Sequence, residues 1–361
     1  MSDADHMAHA LRIAARGLGR TWPNPAVGCV ILNAGLVVGR GWTQPGGRPH
    51  AEAMALRQAG EAARGATAYV TLEPCAHHGH TPPCAEALIA AGVSRVVSAL
   101  QDPDARVSGK GHAMLRAAGI EVTENVLQSE AIRTNIGFLK RVTQNLPFVT
   151  LKLATTLDGR IATALGESRW ITGPASRRAV HTMRLNHDAV LIGSGTARAD
   201  DPDLTVRGLG AGHQPIRIVM DSRLSHSAES RLGQSARQSP VWLLHGPDAP
   251  SQNRAAWAGQ GAFLLEIPSE NGHINPRAAL QILATQGLTR IFCEGGGTLA
   301  ASLIRADLID DLAMFTAGAL IGGDGQASLA ALNLTLLKDA PRLTLRETKA
   351  IGPDAYSLWS F

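Results

Sequence analysis

Three short stretches in the first third of the chain hold side chains suited to metal chemistry: His50-Ala51-Glu52, Pro74-Cys75, and Cys84 directly after Pro82-Pro83. One histidine and two cysteines supply three ligands for Zn²⁺ and leave the fourth tetrahedral position for water. A hydrolytic zinc needs that open position, because the metal lowers the pKa of the water there towards neutrality. Glu52, two residues past His50, is close enough to shuttle protons from the water to a leaving group. Cys84 is expected at a helix N-terminus, where the dipole favours a thiolate. Cys29 and Cys293 lie in apolar runs and read as core packing.

Histidine-x-glutamate with Pro-Cys-x-x-Cys is the pattern of zinc nucleobase deaminases. Here eight residues, AHHGHTPP, separate Cys75 from Cys84 instead of two. His77, His78 and His80 in that loop therefore stand as alternative ligands, as substrate contacts or as solvated histidines. A loop histidine completing a closed four-ligand site would make the metal structural, in a binding protein rather than an enzyme.

A second constellation lies in the C-terminal part. Glu294-Gly295-Gly296-Gly297-Thr298 follows an apolar run and opens a helix. Glycines there let backbone N–H groups approach a phosphate, which the helix start attracts. The Asp221-Ser222-Arg223 turn reads as a turn cap or as a contact to a ribose or its 2′-phosphate. The dinucleotide fingerprint Gly-x-Gly-x-x-Gly is not found.

Hydrophobic periodicity supplies the elements that must position these residues. Helices are expected at 4–17, 50–60, 83–91, 109–118 and 128–140. Strands are expected at 27–32 and 36–41 around the turn Asn33-Ala34-Gly35, then at 67–72, 93–99 and 120–122. This is a three-layer α/β arrangement. The pattern restarts near Asn145-Leu146-Pro147, which puts domains at 1–145 and 146–361. In the second, strands are expected at 148–154, 189–193, 216–220, 241–244, 262–267, 290–293, 311–316, 342–346 and 356–361. Helices are expected at 174–184, 276–286 and 298–305. Stretches 208–214 and 323–328 read as flexible loops, and 225–239 as a polar, variable stretch.

The 361 residues suit two domains. With 45% apolar and 18% charged residues the chain is globular rather than disordered. Only 4% aromatics argues against a stacking platform for single-stranded nucleic acid. Four cysteines are too few for a disulfide scaffold. The net charge of +4 is spread without a basic block, so nucleic acid is not an expected partner. No apolar run approaches the ~18–20 residues of a membrane helix, and the acidic N-terminus is not a secretory signal. A cytoplasmic location is expected, with no membrane partner.

The segments TWPNPAVGCVI, GRPHAEAMAL, TAYVTLEPCAHHGHTPPC and ALQDPDARVSGKG resemble the bifunctional deaminase/reductase family of riboflavin biosynthesis. LKLATTLDGRIA, GESRWITG, ADDPDLTVR and EGGGTLAASLI continue the likeness over nearly the whole chain. The resemblance implies a cytidine-deaminase-like α/β/α domain followed by a dihydrofolate-reductase-like α/β domain. It implies one Zn²⁺ on His50, Cys75 and Cys84, Glu52 as proton shuttle, and Asn24 with the loop at His77 beside the pyrimidine. It implies NADPH against Ala154, Trp170, Thr196, Asp200, Ser222, Gly296, Gly297 and Thr298. The substrate would meet Ser168, Arg184, Leu204, Arg207 and Glu294. Guanidinium groups bind phosphate bidentately, which suits Arg184 and Arg207 to a sugar phosphate. Lys152 and Asp200 are further candidates for orienting or protonating the sugar. The implied reactions are hydrolytic deamination of 2,5-diamino-6-ribosylamino-4(3H)-pyrimidinone 5′-phosphate and NADPH-dependent reduction of its ribosyl group, giving 5-amino-6-(5-phospho-D-ribitylamino)uracil. Partners are then phosphorylated pyrimidines and, by analogy with related reductases, further copies of the chain. The alternative reading is a tRNA or nucleobase deaminase with an accessory domain. It expects a basic patch and no NADPH-binding domain.

Overall fold

The computed structural model describes residues 2–78, 82–104 and 108–361. His80 lies outside them. The chain divides into two compact units, Met1–Asn145 and Leu146–Phe361.

In the first unit α1 (Asp3–Ala14), β1 (Gly28–Asn33), β2 (Leu36–Trp42), α2 (Ala51–Ala59), β3 (Thr67–Val70) and α3 (Cys84–Ala90) precede β4 (Arg95–Ser98), α4 (Lys110–Ala117), β5 (Glu121–Thr123) and α5 (Gln128–Gln144). The sheet order is β2-β1-β3-β4-β5. Strands β1 and β2 form an antiparallel hairpin, while β3, β4 and β5 run parallel. Glycines let helices press onto this sheet. A Cβ on Gly28 would fall 2.0 Å from the Ala10 carbonyl of α1, and one on Gly41 2.0 Å from the Ala51 carbonyl of α2. Gly41 pairs with Cys29, the neighbour of Gly28. Paired residues share a face and successive residues alternate, so α1 and α2 cover opposite faces. That is why β1 is buried along both faces, with Cys29, Val30 and Ile31 fully inaccessible.

The second unit opens with β6 (Phe148–Thr156), β7 (Arg160–Ala162), α6 (Pro174–Leu185), β8 (Ala189–Gly193), α7 (Ser194–Asp200), β9 (Ile216–Met220) and α8 (Arg231–Gln234). It continues through β10 (Val241–His245), α9 (Ser251–Gly259), β11 (Phe263–Glu266), β12 (Ser269–Glu270), β13 (His273–Ile274), α10 (Pro276–Thr285), β14 (Arg290–Cys293) and α11 (Gly297–Arg305). It ends with β15 (Asp311–Ala317), β16 (Gln326–Ala327), β17 (Thr344–Ile351) and β18 (Asp354–Ser360). Nine strands form one sheet in the order β11-β10-β9-β8-β14-β6-β15-β18-β17. It is parallel from β11 to β15 and antiparallel at β18 and β17. Near-continuous apolar runs such as Ala189–Ile192 are what a strand covered on both faces needs.

Several elements escaped the periodicity reading. Helices α7 and α9 are short and polar, and their apolar stripe is too narrow to register. Gln326–Ala327 pairs with β7 within a stretch read as loop, and α8 lies within the stretch 225–239. The hairpin β12/β13 turns at Asn271-Gly272, both at positive φ. Asn-Gly is the strongest short hairpin signal, so the sequence itself marks this turn. Strand β9 also carries a fully buried arginine, Arg217, which burial pushes down to about 10. Its guanidinium donates to Ser235 Oγ at 2.8 Å and to the Asp203 carbonyl at 3.2 Å. That explains how the polar stretch 225–239 and the loop around Asp203 are held to the sheet. Among the described residues no helix is long and apolar enough to cross a membrane.

Candidate active sites

In the first unit two helix starts meet the end of a strand. His50 is the N-cap of α2, and Glu52 in the first turn of that helix is 3% exposed. Cys75 follows β3 after Pro74, and Cys84 is the first residue of α3. His50 Nδ1 lies 3.3 Å from Cys84 Sγ and 3.7 Å from Cys75 Sγ, and all three ligand atoms fall within 4.8 Å of one another. Tetrahedral zinc with Zn–S of ~2.3 Å and Zn–N of ~2.0–2.1 Å sets its ligand atoms about 3.5 Å apart, so this donor set fits the ion. Among the described residues no other group of three or more such side chains gathers in this way.

Electrostatics match the role. The Cys75 thiol is pushed down to about 4, first by its hydrogen bond with Cys84, then by His50 and the Cys84 backbone N–H, which donates to Cys75 Sγ at 3.3 Å. Its neighbour Cys84 is pushed far up by that shared hydrogen bond and by burial. Burial also raises the Glu52 carboxyl above its ordinary value, against the pull of His50. A carboxyl so raised is a stronger base towards a water proton than a free one.

The flanking residues are placed as follows. Asn24 packs against Gly47, where a Cβ would fall 1.9 Å from Asn24 Nδ2 and φ is +86°. Glycine is required there on both counts, and Asn24 is thereby tied to the turn just before His50. The buried His77 Nδ1 has no hydrogen-bond partner among the described residues. His78 is exposed and pairs with Glu86 at 3.4 Å. Neither joins the ligand cluster.

The second unit contains a cavity of about 1020 Å³. It is walled by β6 at Lys152–Ala154, the β8–α7 turn, the end of β9 at Met220 and Ser222, and the β14–α11 turn. Of the residues singled out from the sequence, Ala154, Ser168, Thr196, Asp200, Ser222, Glu294, Gly296, Gly297 and Thr298 line it. The Gly296 N–H donates to Thr196 Oγ1 at 2.9 Å, which locks the glycine turn to α7. Helix α11 has no side-chain cap, so its first N–H groups are available to an anion. The cavity also takes Arg198 and the β12/β13 hairpin residues Glu270, Asn271 and His273, which the sequence reading missed.

Arg184 and Glu294 form a bidentate pair, Nε–Oε1 2.5 Å and Nη2–Oε2 3.0 Å, both almost buried. Arg184 Nη1 also donates to the Thr205 carbonyl at 2.9 Å. Its guanidinium is thus occupied within the protein. Burial alone would raise the Glu294 carboxyl, but Arg184 and Lys152 hold it below its ordinary value. Burial lowers the Lys152 amine, with Glu294 opposing. Four residues stand outside the cavity wall. Trp170 is 69% exposed, with the Arg177 guanidinium 4.6 Å from its ring centre. Leu204 is buried at positive φ. Arg207 is exposed and pairs with Asp203 at 3.2 Å. Arg184 is the fourth, behind Glu294.

Known proteins match both units. Residues 1–100 match the family model for the cytidine and deoxycytidylate deaminase zinc-binding region, and residues 147–357 match that for the RibD C-terminal domain. The riboflavin biosynthesis protein RibD of Escherichia coli is 44% identical over 98% of this chain and 98% of its own length. That of Aquifex aeolicus is 37% identical over 98% and 96%. The Acinetobacter baumannii RibD structure superposes with a TM-score of 0.89 at 38% identity, covering 99% of this chain and 98% of that one. A Thermotoga maritima diaminohydroxyphosphoribosylaminopyrimidine deaminase/5-amino-6-(5-phosphoribosylamino)uracil reductase superposes at 0.86 and 32% identity, covering 99% and 98%. Full-length identity at this level, with both units matched in order, means that the chain belongs to the RibD family of riboflavin biosynthesis proteins.

Proposed function

We propose that residues 1–145 carry the deaminase and residues 146–361 the reductase of this two-activity riboflavin-biosynthesis enzyme. The pairing of activities follows from family membership. The substrates are those of the Thermotoga relative: the diaminopyrimidine ribosyl phosphate for the first unit, and its deaminated product for the second. The observation that carries this reading is the convergence of His50 Nδ1, Cys75 Sγ and Cys84 Sγ beside buried Glu52.

His50, Cys75 and Cys84 would hold one zinc ion, which when bound makes a water nucleophilic near neutral pH. Glu52 receives the proton of that water. It passes that proton to the ring nitrogen next to the attacked carbon, then takes the remaining proton of the hydroxyl newly bound to that carbon and delivers it to the amino group, which leaves as ammonia. The raised affinity of Glu52 for a proton, caused by its burial, strengthens it as the acceptor in this exchange. Asn24 and His77 orient the pyrimidine from the Gly47 turn and the inter-cysteine loop.

In the second unit NADPH would lie along the cavity. Its pyrophosphate would rest at Gly296, Gly297 and Thr298, its adenosine end near Ser222, and its nicotinamide near Ala154 and Trp170. The cofactor supplies the hydride, so the protein's work is to hold two ligands in register and exclude water. Thr196 and Asp200 fix the cofactor side and Ser168 and Glu294 the sugar side, while Leu204, buried outside the cavity wall, acts only through the packing of its loop. Arg184 acts through Glu294, whereas Arg207, open to solvent, is the side chain suited to the 5′-phosphate. Lys152 stands at the cavity wall with a weakened hold on its proton, fit to orient or protonate the sugar.

Strand β17 is an edge strand exposed along nearly its whole length; it carries the exposed Leu345 and follows the exposed Leu334, Leu336 and Leu337 in the chain. Unpaired edges with apolar side chains invite another strand, which supports assembly of two or more copies. All four cysteines are free thiols, in keeping with a cytoplasmic enzyme. A coupled assay on the diaminopyrimidine phosphate, with zinc analysis and with NADPH or NADH, tests the reading. Ammonia release that needs about one zinc per chain, followed by NADPH oxidation, is expected. Ammonia release from a zinc-free chain, or deamination of tRNA but not of the free pyrimidine, would overturn it.

A further inference from the structure

Glu73 immediately precedes Pro74-Cys75, and neither reaction above uses it. It is 3% exposed. Its carboxylate is spent on backbone N–H groups. Oε1 accepts from Gly111 at 2.8 Å and His112 at 3.3 Å, and Oε2 from Gly109 at 2.9 Å and Asp102 at 3.2 Å. Three of these four donors belong to the start of α4, where the helix dipole favours a negative charge. Contact is close, since a Cβ on Gly111 would fall 1.9 Å from the Pro74 carbonyl oxygen. The other side of this turn is pinned by the buried His112 ring, with Ser98 Oγ at 2.9 Å from Nε2 and Glu124 at 3.1 Å from Nδ1. Ser98, His112 and Glu124 have the connectivity of a hydrolytic triad, but Ser98 is fully inaccessible, so the group is a strut. On the other side of Cys75, the start of α3 donates Ala85 N–H to the Cys75 carbonyl at 3.2 Å and Cys84 N–H to its sulfur. Pro74-Cys75 is therefore clamped between two helix starts.

We propose that Glu73 is a positioning residue of the metal site. By gathering four backbone N–H groups it locks Pro74-Cys75 against α4, so that the Cys75 sulfur stands at ligand distance from His50 and Cys84 before the ion arrives. The inference rests on the reading of His50, Cys75 and Cys84 as zinc ligands. The residue type is specified by the count. Each carboxylate oxygen takes two N–H donors, and glutamine would turn an NH₂ towards one of those pairs. Aspartate keeps both oxygens but is one methylene short.

The test is zinc release from the full-length zinc-loaded chain to excess chelator, well below the melting temperature, with the reductase of the same chain as internal control. Partners of metal ligands are typically worth ~10–100-fold in metal affinity, so E73Q is expected to lose zinc ~10–100-fold more readily, with NADPH oxidation unchanged. E73D should fall between E73Q and wild type. S98A removes the strut behind the same helix but none of the four N–H contacts, and should retain zinc as wild type does. Wild-type zinc retention in E73Q, or equal loss in S98A, would overturn the proposal. If E73Q does not fold, E73D decides: faster zinc loss with native circular dichroism supports the proposal, and wild-type retention overturns it. A wild-type chain that binds no zinc would instead sink the metal-site reading, and this inference with it.

Discussion

The two sites solve different problems with different amounts of protein. In the first unit the chemistry rests on four side chains within residues 50–84, set at three helix or strand ends, with Glu52 and Cys84 buried and His50 and Cys75 half-buried. In the second, a cavity of about 1020 Å³ is walled by segments from Lys152 to Ser328. Where the chain itself must hold the metal and move the proton, a misplacement of an ångström destroys the site, and short spans between preset helix starts are the economical answer. Where a dissociable cofactor brings the hydride, the protein needs a long surface with many moderate contacts and an anion-friendly helix start. Single changes should therefore be catastrophic in the first site and graded in the second.

That contrast can be broken most directly at Glu52. E52Q should lower deamination by ~10²–10⁴-fold, the usual worth of a general acid–base group, with zinc content and NADPH oxidation intact. Near-normal ammonia release from the fully metallated variant would remove the proton shuttle and with it the contrast. In the second unit the largest effect is expected at Arg184. Removing one partner of a buried ion pair costs about 3–5 kcal/mol, so R184A should destabilise that unit by that order and lower reduction through misplaced Glu294. Denaturant midpoints followed by reductase activity would show it. An R184A midpoint equal to wild type would mean that the pair is not structural.

Next comes pH. Burial pushes the His187 imidazole down to about 3 from 6.5, while its ring bonds the Met183 carbonyl and Thr150 Oγ1. A lowered histidine contributes stability that is complete above its unfolded value and lost as pH falls towards its folded one. Between pH 6.5 and about 3 the unfolded chain holds a proton that the folded chain lacks. The second unit should thus lose up to ~1.4 kcal/mol per pH unit over that window. H187Q should flatten this slope, and an unchanged slope would shift the effect to other groups. The smallest effect is expected at Arg207. R207A should raise the KM for the sugar phosphate about tenfold, a charged hydrogen bond discounted for exposure, and leave the KM for NADPH alone. The reverse pattern would assign Arg207 to the cofactor.

Legibility followed the same division. His50, Glu52, Cys75 and Cys84 announce themselves by type and spacing, because few side chains bind zinc and fewer still sit beside a carboxyl at helix starts. The glycine turn at 295–297 was visible too, since only glycine allows such close backbone approach. Asn271-Gly272 announces the β12/β13 hairpin, but its place at the cavity, like that of Arg198 on a short polar helix, gains meaning only when distant strands face it. Arg184 reads from sequence as a phosphate ligand. Its occupation by Glu294, 110 positions away, is a fact of packing.

By itself the sequence determined the alternation of buried strands and helices, the residue types able to hold zinc, and the glycines that open α11. These depend on local periodicity, side-chain chemistry and backbone freedom, which a linear chain displays. Only the tertiary structure decided which of the histidines near Cys75 stand at ligand distance. His50 does, and His77 and His78 do not. It also decided that Glu73 spends its charge on the start of α4, a residue whose role no spacing rule suggests. Both are matters of distance between segments far apart in the chain, and such distances exist only once the sheets have formed.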